Sequence, residues 1–184
     1  AAKIVFETIE RKSPIDPLSD EGEKPADVKG SIKFTNIDFH YPTRSDVPIL
    51  KHFNLEVQPG TTVALVGQSG SGKSTIVKLL ERFYDPAGGS VSLDGRDIKQ
   101  LNVSWLRHQI GMVSQEPVLF DTTIKQNITL GLVDFESIPS EKIDEMIENA
   151  CRQANCWDFI QELPLKLDTL VGESGGMLSG GQKQ

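Results

Sequence analysis

One stretch, TTVALVGQSGSGKST, constrains this chain more than any other. Thr62 to Val66 is a continuous apolar run, the pattern of a strand buried on both faces, and it leads straight into a glycine-rich loop. Gly67-Gln68-Ser69-Gly70-Ser71-Gly72-Lys73-Ser74 fits the pattern G-x-x-x-x-G-K-[ST] in full. Glycines there let the backbone wrap a phosphate with its N–H groups turned inward. After the loop, Ile76, Val77, Leu80 and Phe83 recur at helical spacing. A helix starting near Lys73 would aim its positive dipole end at the same anion. Lys73 is placed to reach the β- and γ-phosphates, and the Ser74 hydroxyl to hold Mg²⁺. Gly67 through Thr75 are therefore the candidate nucleotide-binding residues. No Asn-Lys-x-Asp motif of the kind that reads guanine occurs, which favours ATP.

Elsewhere the chain reads in three parts. Residues 1–30 start with Ala1, Ile4, Val5 and Ile9 near one helical face, then pass into a Pro-, Asp- and Glu-rich linker from Ser13 to Gly30. Residues 31–115 hold short antiparallel strands and the phosphate-loop core. Ile32 and Phe34 alternate, then the phase shifts to Ile37 and Phe39, predicting a bulge. Phe53, Leu55 and Val57 share one face of the next strand, and the Asp94-Gly95 pair predicts a hairpin. Ile110 to Val113 resembles a second buried strand. Residues 116–184 are expected to be helical. Ser140 is a candidate cap for a helix with Ile143, Met146, Ile147, Ala150 and Ala154 on one face, and a short helix near Trp157 should stop at Pro164.

Charge and cysteines narrow the function classes. A net charge of −7 leaves no broad basic face for nucleic acid or anionic lipid, though a phosphate loop needs only backbone amides and one lysine. No apolar run in these 184 residues approaches a membrane span, and no signal peptide opens the chain, whose first residue is Ala1. Cys151 and Cys156 lack a metal-ligand set and read as reduced, packed thiols rather than a structural disulfide. Asn127-Ile128-Thr129 matches a glycosylation pattern without secretory context. His40, His52 and His108 have no evident chemical partner.

A second loop, Leu178-Ser179-Gly180-Gly181-Gln182, resembles the signature motif of ATP-binding-cassette (ABC) ATPases. Tyr41 in FHYPTR stands where that family places an aromatic that stacks on adenine. Gln115 in VSQEPVLF matches its glutamine loop, and Glu173 in DTLVGESGG lies in the segment that precedes the signature in exporters. Order and spacing agree over nearly the whole chain, and the resemblance is closest to the nucleotide-binding domains of P-glycoprotein-like multidrug exporters. It implies an α/β P-loop NTPase cassette with an antiparallel β subdomain and a helical subdomain, lacking the C-terminal part of the core. It implies catalytic roles for Lys73 and Gln115, with Gln115 and Ser74 touching Mg²⁺, and a Glu173 that meets the cytoplasmic loops of a membrane-spanning part.

In that family two cassettes pair head to tail, so Leu178 to Gln182 would serve a partner's nucleotide rather than the chain's own. The implied partners are a second nucleotide-binding domain and transmembrane domains, and the implied place is the cytoplasmic face of a membrane. Family members carry the water-polarising acid on a strand beyond the signature and a histidine farther on. No four apolar residues followed by Asp-Glu occur in these 184 residues. The chain is thus expected to be a piece of a longer protein, inactive and weakly cooperative by itself. The alternatives are a non-hydrolysing ATP-binding half-domain or a soluble ABC ATPase.

Overall fold

A computed structural model describes residues 2–11, 13–115, 117–132 and 137–184. The chain divides into two compact units, Ala1–Gly111 and Met112–Gln184.

The first unit begins with helix α1 (Ala2–Glu10) and is built on an antiparallel sheet of four strands: β1 (Ile32–Phe39), β2 (Leu50–Val57), β3 (Gly88–Leu93) and β4 (Arg96–Asp97). Their order is β2-β1-β3-β4. The predicted phase shift in β1 is a real bulge. Register breaks between Phe34 and Ile37, and Asn36 adopts φ 48°. Gly89 sits opposite with φ 80°, where a Cβ would lie 2.3 Å from the Thr35 carbonyl oxygen. The bulge returns Ile37 and Phe39 to the buried face beside Phe34. Asp94 and Gly95, at φ 51° and 79°, form the predicted two-residue turn between β3 and β4.

Helix α2 (Lys73–Leu80) follows the glycine loop and buries Thr75, Ile76 and Leu79. The burial differs from the expected stripe: Val77 and Phe83 face solvent, and the helix ends before Phe83 is reached. Ile76 and Leu79 join Phe34, Ile37, Phe39, Val91, Ile98 and Leu106 in one apolar core. Helix α3 (Val103–His108) is capped by Asn102, whose side chain accepts the Trp105 N–H.

Both strands expected to be buried are absent. Residues 62–66 and 110–113 carry no ladder, and Val66 is 93% exposed and Val113 78%. A parallel strand needs hydrogen-bonding neighbours, and among the described residues none lies beside either run.

The linker is more ordered than its composition predicts. Glu23 bridges Leu101, and the Asn102 side-chain amide donates to the carbonyls of Ser19 and Glu21 at 2.9 Å each. Gly22 packs so closely there that a Cβ would lie 2.5 Å from the Asn102 nitrogen. The Asp94 carboxylate accepts the backbone N–H groups of Lys29, Gly30 and Ser31. Burial pushes the Asp94 carboxyl up, but these three donors together outweigh it and hold it below the usual range. Polar contacts from Asn102, Asp94 and Arg96, the last paired with Glu23, order this segment rather than apolar burial.

The second unit holds α4 (Ile124–Thr129), α5 (Ser140–Gln153), α6 (Trp157–Glu162) and α7 (Gly180–Lys183). Thr123 and Gln126 form a capping box at the start of α4. Ser140 is the first residue of α5, not its cap: the chain turns in at Pro139, whose carbonyl accepts the N–H groups of Lys142 and Ile143. Ile143, Ile147 and Cys151 are buried against Ile124, Ile160 and Val171, while Met146 is exposed. The Asn127 side chain is engaged with Phe120 and Thr123, so the glycosylation pattern at Asn127 serves a loop instead. Both cysteines are free thiols. Among the described residues no helix is long and apolar enough to cross a membrane.

Candidate functional site

The glycine loop is a cradle of backbone amides. Gly70 and Gly72 adopt φ 82° and 88°, left-handed conformations that turn the chain sharply before α2. Gly72 also lies tight against the start of β2, where a Cβ would meet the Leu50 side chain at 3.0 Å. This contact ties the loop to the sheet. Among the described residues, the N–H groups of Ser69, Gly70, Gly72, Lys73 and Ser74 have no protein partner, whereas Thr75 and Ile76 both donate to the Gly72 carbonyl. The unpartnered donors stand at the positive end of α2, which has no side-chain cap. That arrangement fits a polyphosphate.

Lys73 closes the loop on itself. Its ammonium donates to the carbonyls of Gly67 at 2.8 Å and Gln68 at 2.7 Å, and to the Ser71 hydroxyl at 3.3 Å. The predicted phosphate-binding charge is therefore held over the loop by Gly67, Gln68 and Ser71. The Ser74 side chain is exposed, as an Mg²⁺ ligand must be.

Tyr41 belongs to the same unit and reaches the same helix. Its hydroxyl lies 3.0 Å from that of Thr75, a residue only 4% exposed. Its ring meets Phe39 and Tyr84 edge to face, with centroids 5.1 and 5.4 Å away, and the Lys78 ammonium stands 5.7 Å from its centroid. This aromatic cluster anchors Tyr41 to α2 and the sheet core. Sequence reasoning missed the Tyr41–Thr75 pair. Thr75 follows the phosphate-loop pattern by one position, and nothing local marks its partner.

Gln115 and the signature residues belong to the second unit. Gln115 is exposed in a bend, without the preceding buried strand the sequence predicted. Its backbone carbonyl accepts from the Gln184 side chain at 3.3 Å. Leu178 is half-buried against the helical core. Ser179 caps α7: its hydroxyl accepts the Gln182 N–H at 3.3 Å, and the Gln182 side chain accepts the Ser179 N–H at 2.9 Å. This capping box leaves the N–H groups of Gly180 and Gly181 without protein partners among the described residues. Glu173 is exposed in a 3-10 turn.

Of the histidines, His52 lies beside Asp38, His108 bonds the Ser104 carbonyl, and His40 holds a buried Nδ1 with no partner among the described residues.

Known proteins place this geometry in a family. A family model described as ABC transporter matches residues 50–184. The whole chain is 54% identical to the ABC multidrug transporter MDR1 of Cryptococcus neoformans var. grubii, covering 13% of that protein. It is likewise 54% identical to the ABC multidrug transporter mdr1 of Aspergillus fumigatus, covering 14% of that protein. A solved bacterial Atm1-family ABC exporter with ATP bound shares 37% identity and a TM-score of 0.85, over 99% of this chain and 30% of that one. The chain thus spans only 13–14% of the length of these fungal relatives. It belongs to the ABC transporter family, as a nucleotide-binding domain homologous to those of multidrug exporters.

Proposed function

We propose that the full-length protein is an exporter ATPase in which this chain binds MgATP and couples its hydrolysis to moving a substrate across a membrane. The observation that carries the proposal is the loop from Gly67 to Ser74, with unpartnered amides at a helix start and a lysine poised over them. Lys73 would exchange its carbonyl partners for the β- and γ-phosphate oxygens, and the loop amides would hold the remaining phosphate charge. Ser74 and Gln115 would hold Mg²⁺, which neutralises charge developing on the transferred phosphoryl group. Gln115 would also orient the attacking water. Tyr41 would stack on the adenine with its other end fixed by Thr75.

Ser179, Gly180 and Gly181 would face the nucleotide of a second cassette paired head to tail, flanked by Leu178 and Gln182. Transmembrane domains would complete the transporter, with this domain on the cytoplasmic face and Glu173 toward their loops. In that arrangement residues 1–30 are a connection, 31–115 the β region and phosphate-loop core, and 116–184 the helical subdomain. The 184 residues contain no acid of the required pattern, so by themselves they bind ATP without turning it over.

The test is Lys73→Ala in the full-length protein, in membranes. Nucleotide turnover should fall to background while the protein still inserts. Turnover like the wild type would refute the role given to the loop.

A further inference from the structure

Helix α5 ends in a left-handed turn that brings two thiols together. Asn155 adopts φ 57°, its N–H donates to the Arg152 carbonyl, and the Cys156 N–H donates to the Cys151 carbonyl at 2.9 Å. Those two bonds define a Schellman motif, in which the residues now occupied by Cys151 and Cys156 normally make an apolar contact. Here both of those positions hold a cysteine, and both thiols are free. Standard backbone dimensions hold the two Cα atoms no more than about 6.8 Å apart across a bond of that length. Disulfides span Cα separations of about 4.4–6.8 Å. Cys151 is 2% exposed and Cys156 is half-buried, and both line an apolar groove of about 430 Å³ whose wall also includes Leu178 and Gln182. No third His, Cys, Asp or Glu among the described residues joins them, so the pair is not a metal site.

We propose that Cys151 and Cys156 form a dithiol modification site, closed to an intramolecular disulfide by exchange with a low-molecular-weight disulfide. Cys156, the more accessible thiol, attacks first as thiolate. It forms a mixed disulfide and expels one small thiolate. Cys151 then loses its proton and attacks the Cys156 sulfur, expelling the second small thiolate. Two protein thiols lose two protons and two electrons, and the small disulfide takes up both electrons as it becomes two thiols.

In the resting pair the Cys151 thiol is pushed up to about 12, by burial first and then by the neighbouring Cys156.

The experiment equilibrates the full-length protein in glutathione/glutathione disulfide buffers of stepped potential, blocks free thiols with N-ethylmaleimide, digests with trypsin and reads peptide masses. Arg152 separates the two cysteines, so a disulfide links two tryptic peptides that otherwise appear singly. The expected result is a linked pair that accumulates with potential, independent of protein concentration, restored to thiols by dithiothreitol and lost in Cys156→Ser and in Cys151→Ser. Glutathione trapped on Cys156 with Cys151 still free would overturn the proposal. So would two maleimide-labelled cysteines at the most oxidising potential, or a link that forms only between molecules.

Discussion

Asn102 tests whether the acidic linker is a latched part of the domain or a loose connection. Its side-chain amide donates to Ser19 and Glu21, and its oxygen caps α3 through the Trp105 N–H. A net contribution of about 0.5–1.5 kcal/mol per hydrogen bond makes the two linker bonds worth about 1–3 kcal/mol. At 1.4 kcal/mol per tenfold, breaking them raises the open population of residues 19–23 by about 5–150-fold. Limited proteolysis tracks that population when closing outpaces cleavage. Glutamyl endopeptidase cuts after Glu21 and Glu23, both inside the latch, so the initial rate at those bonds in the full-length protein is the readout. Asn102→Asp separates the two roles of the side chain. It keeps an oxygen to cap α3 but sets an anion against two carbonyls, so the latch opens while the helix survives. Asn102→Ala releases the latch and also loses the cap, at a further cost of about 0.5–2 kcal/mol in thermal stability. Cleavage within twofold of the wild type in both variants would refute the argument.

Tyr41→Ala should weaken ATP binding by about 1–3 kcal/mol if the ring stacks on the base, with Tyr41→Phe close to wild type; equilibrium binding of a fluorescent ATP analogue decides it. Gly89→Ala drives a Cβ into the backbone of β1 at a positive φ, so it should unfold the sheet or lower its melting temperature sharply, whereas Gly95→Ala, with open space around it, should cost far less. The Asp94 carboxyl is held below its usual value when folded, so its contribution is complete above the ordinary carboxylate pKa and fades as pH falls toward the folded value; the protection of the Lys29–Ser31 amides, measured against their intrinsic exchange rate at each pH, should fall in that acid window and stay constant near neutral pH. Glu81 runs the other way. Burial raises its pKa despite the opposing pull of Arg107, so stability is lost as pH rises through the carboxylate range, and Glu81→Gln should abolish that loss in a thermal melt.

Most of the antiparallel sheet was legible because its signals are local. The bulge follows from a phase shift between Phe34 and Ile37, and the hairpin from Asp94-Gly95. The phosphate loop was legible because its glycines and Lys73 must stand in one short run. What the sequence hid depends on distant partners. Apolar composition in Thr62–Val66 and Ile110–Val113 predicts burial, yet a strand forms only if neighbours supply its ladder. Hydrophilic composition in Ser13–Gly30 predicts a loose tether, yet Asn102 and Asp94 bind it with side-chain oxygens and nitrogen some 60 to 80 residues away in the chain. The Tyr41–Thr75 hydroxyl pair belongs to the same class, joining residues 34 apart. Cys151 displaced Ala150 and Met146 from the expected buried face of α5, because the packing partner Ile160 lies beyond the helix end.

The capping box at Ser179 has a kinetic corollary. Because Gln182 and Ser179 satisfy one another, the start of α7 holds its helical geometry with the N–H groups of Gly180 and Gly181 left without protein partners among the described residues. In the proposed head-to-tail pairing, a phosphate arriving from another molecule would meet a preformed donor pair and would not have to order this turn on contact. Capture at this surface should then be limited by how often the two molecules collide in the right orientation, with little further delay from local rearrangement.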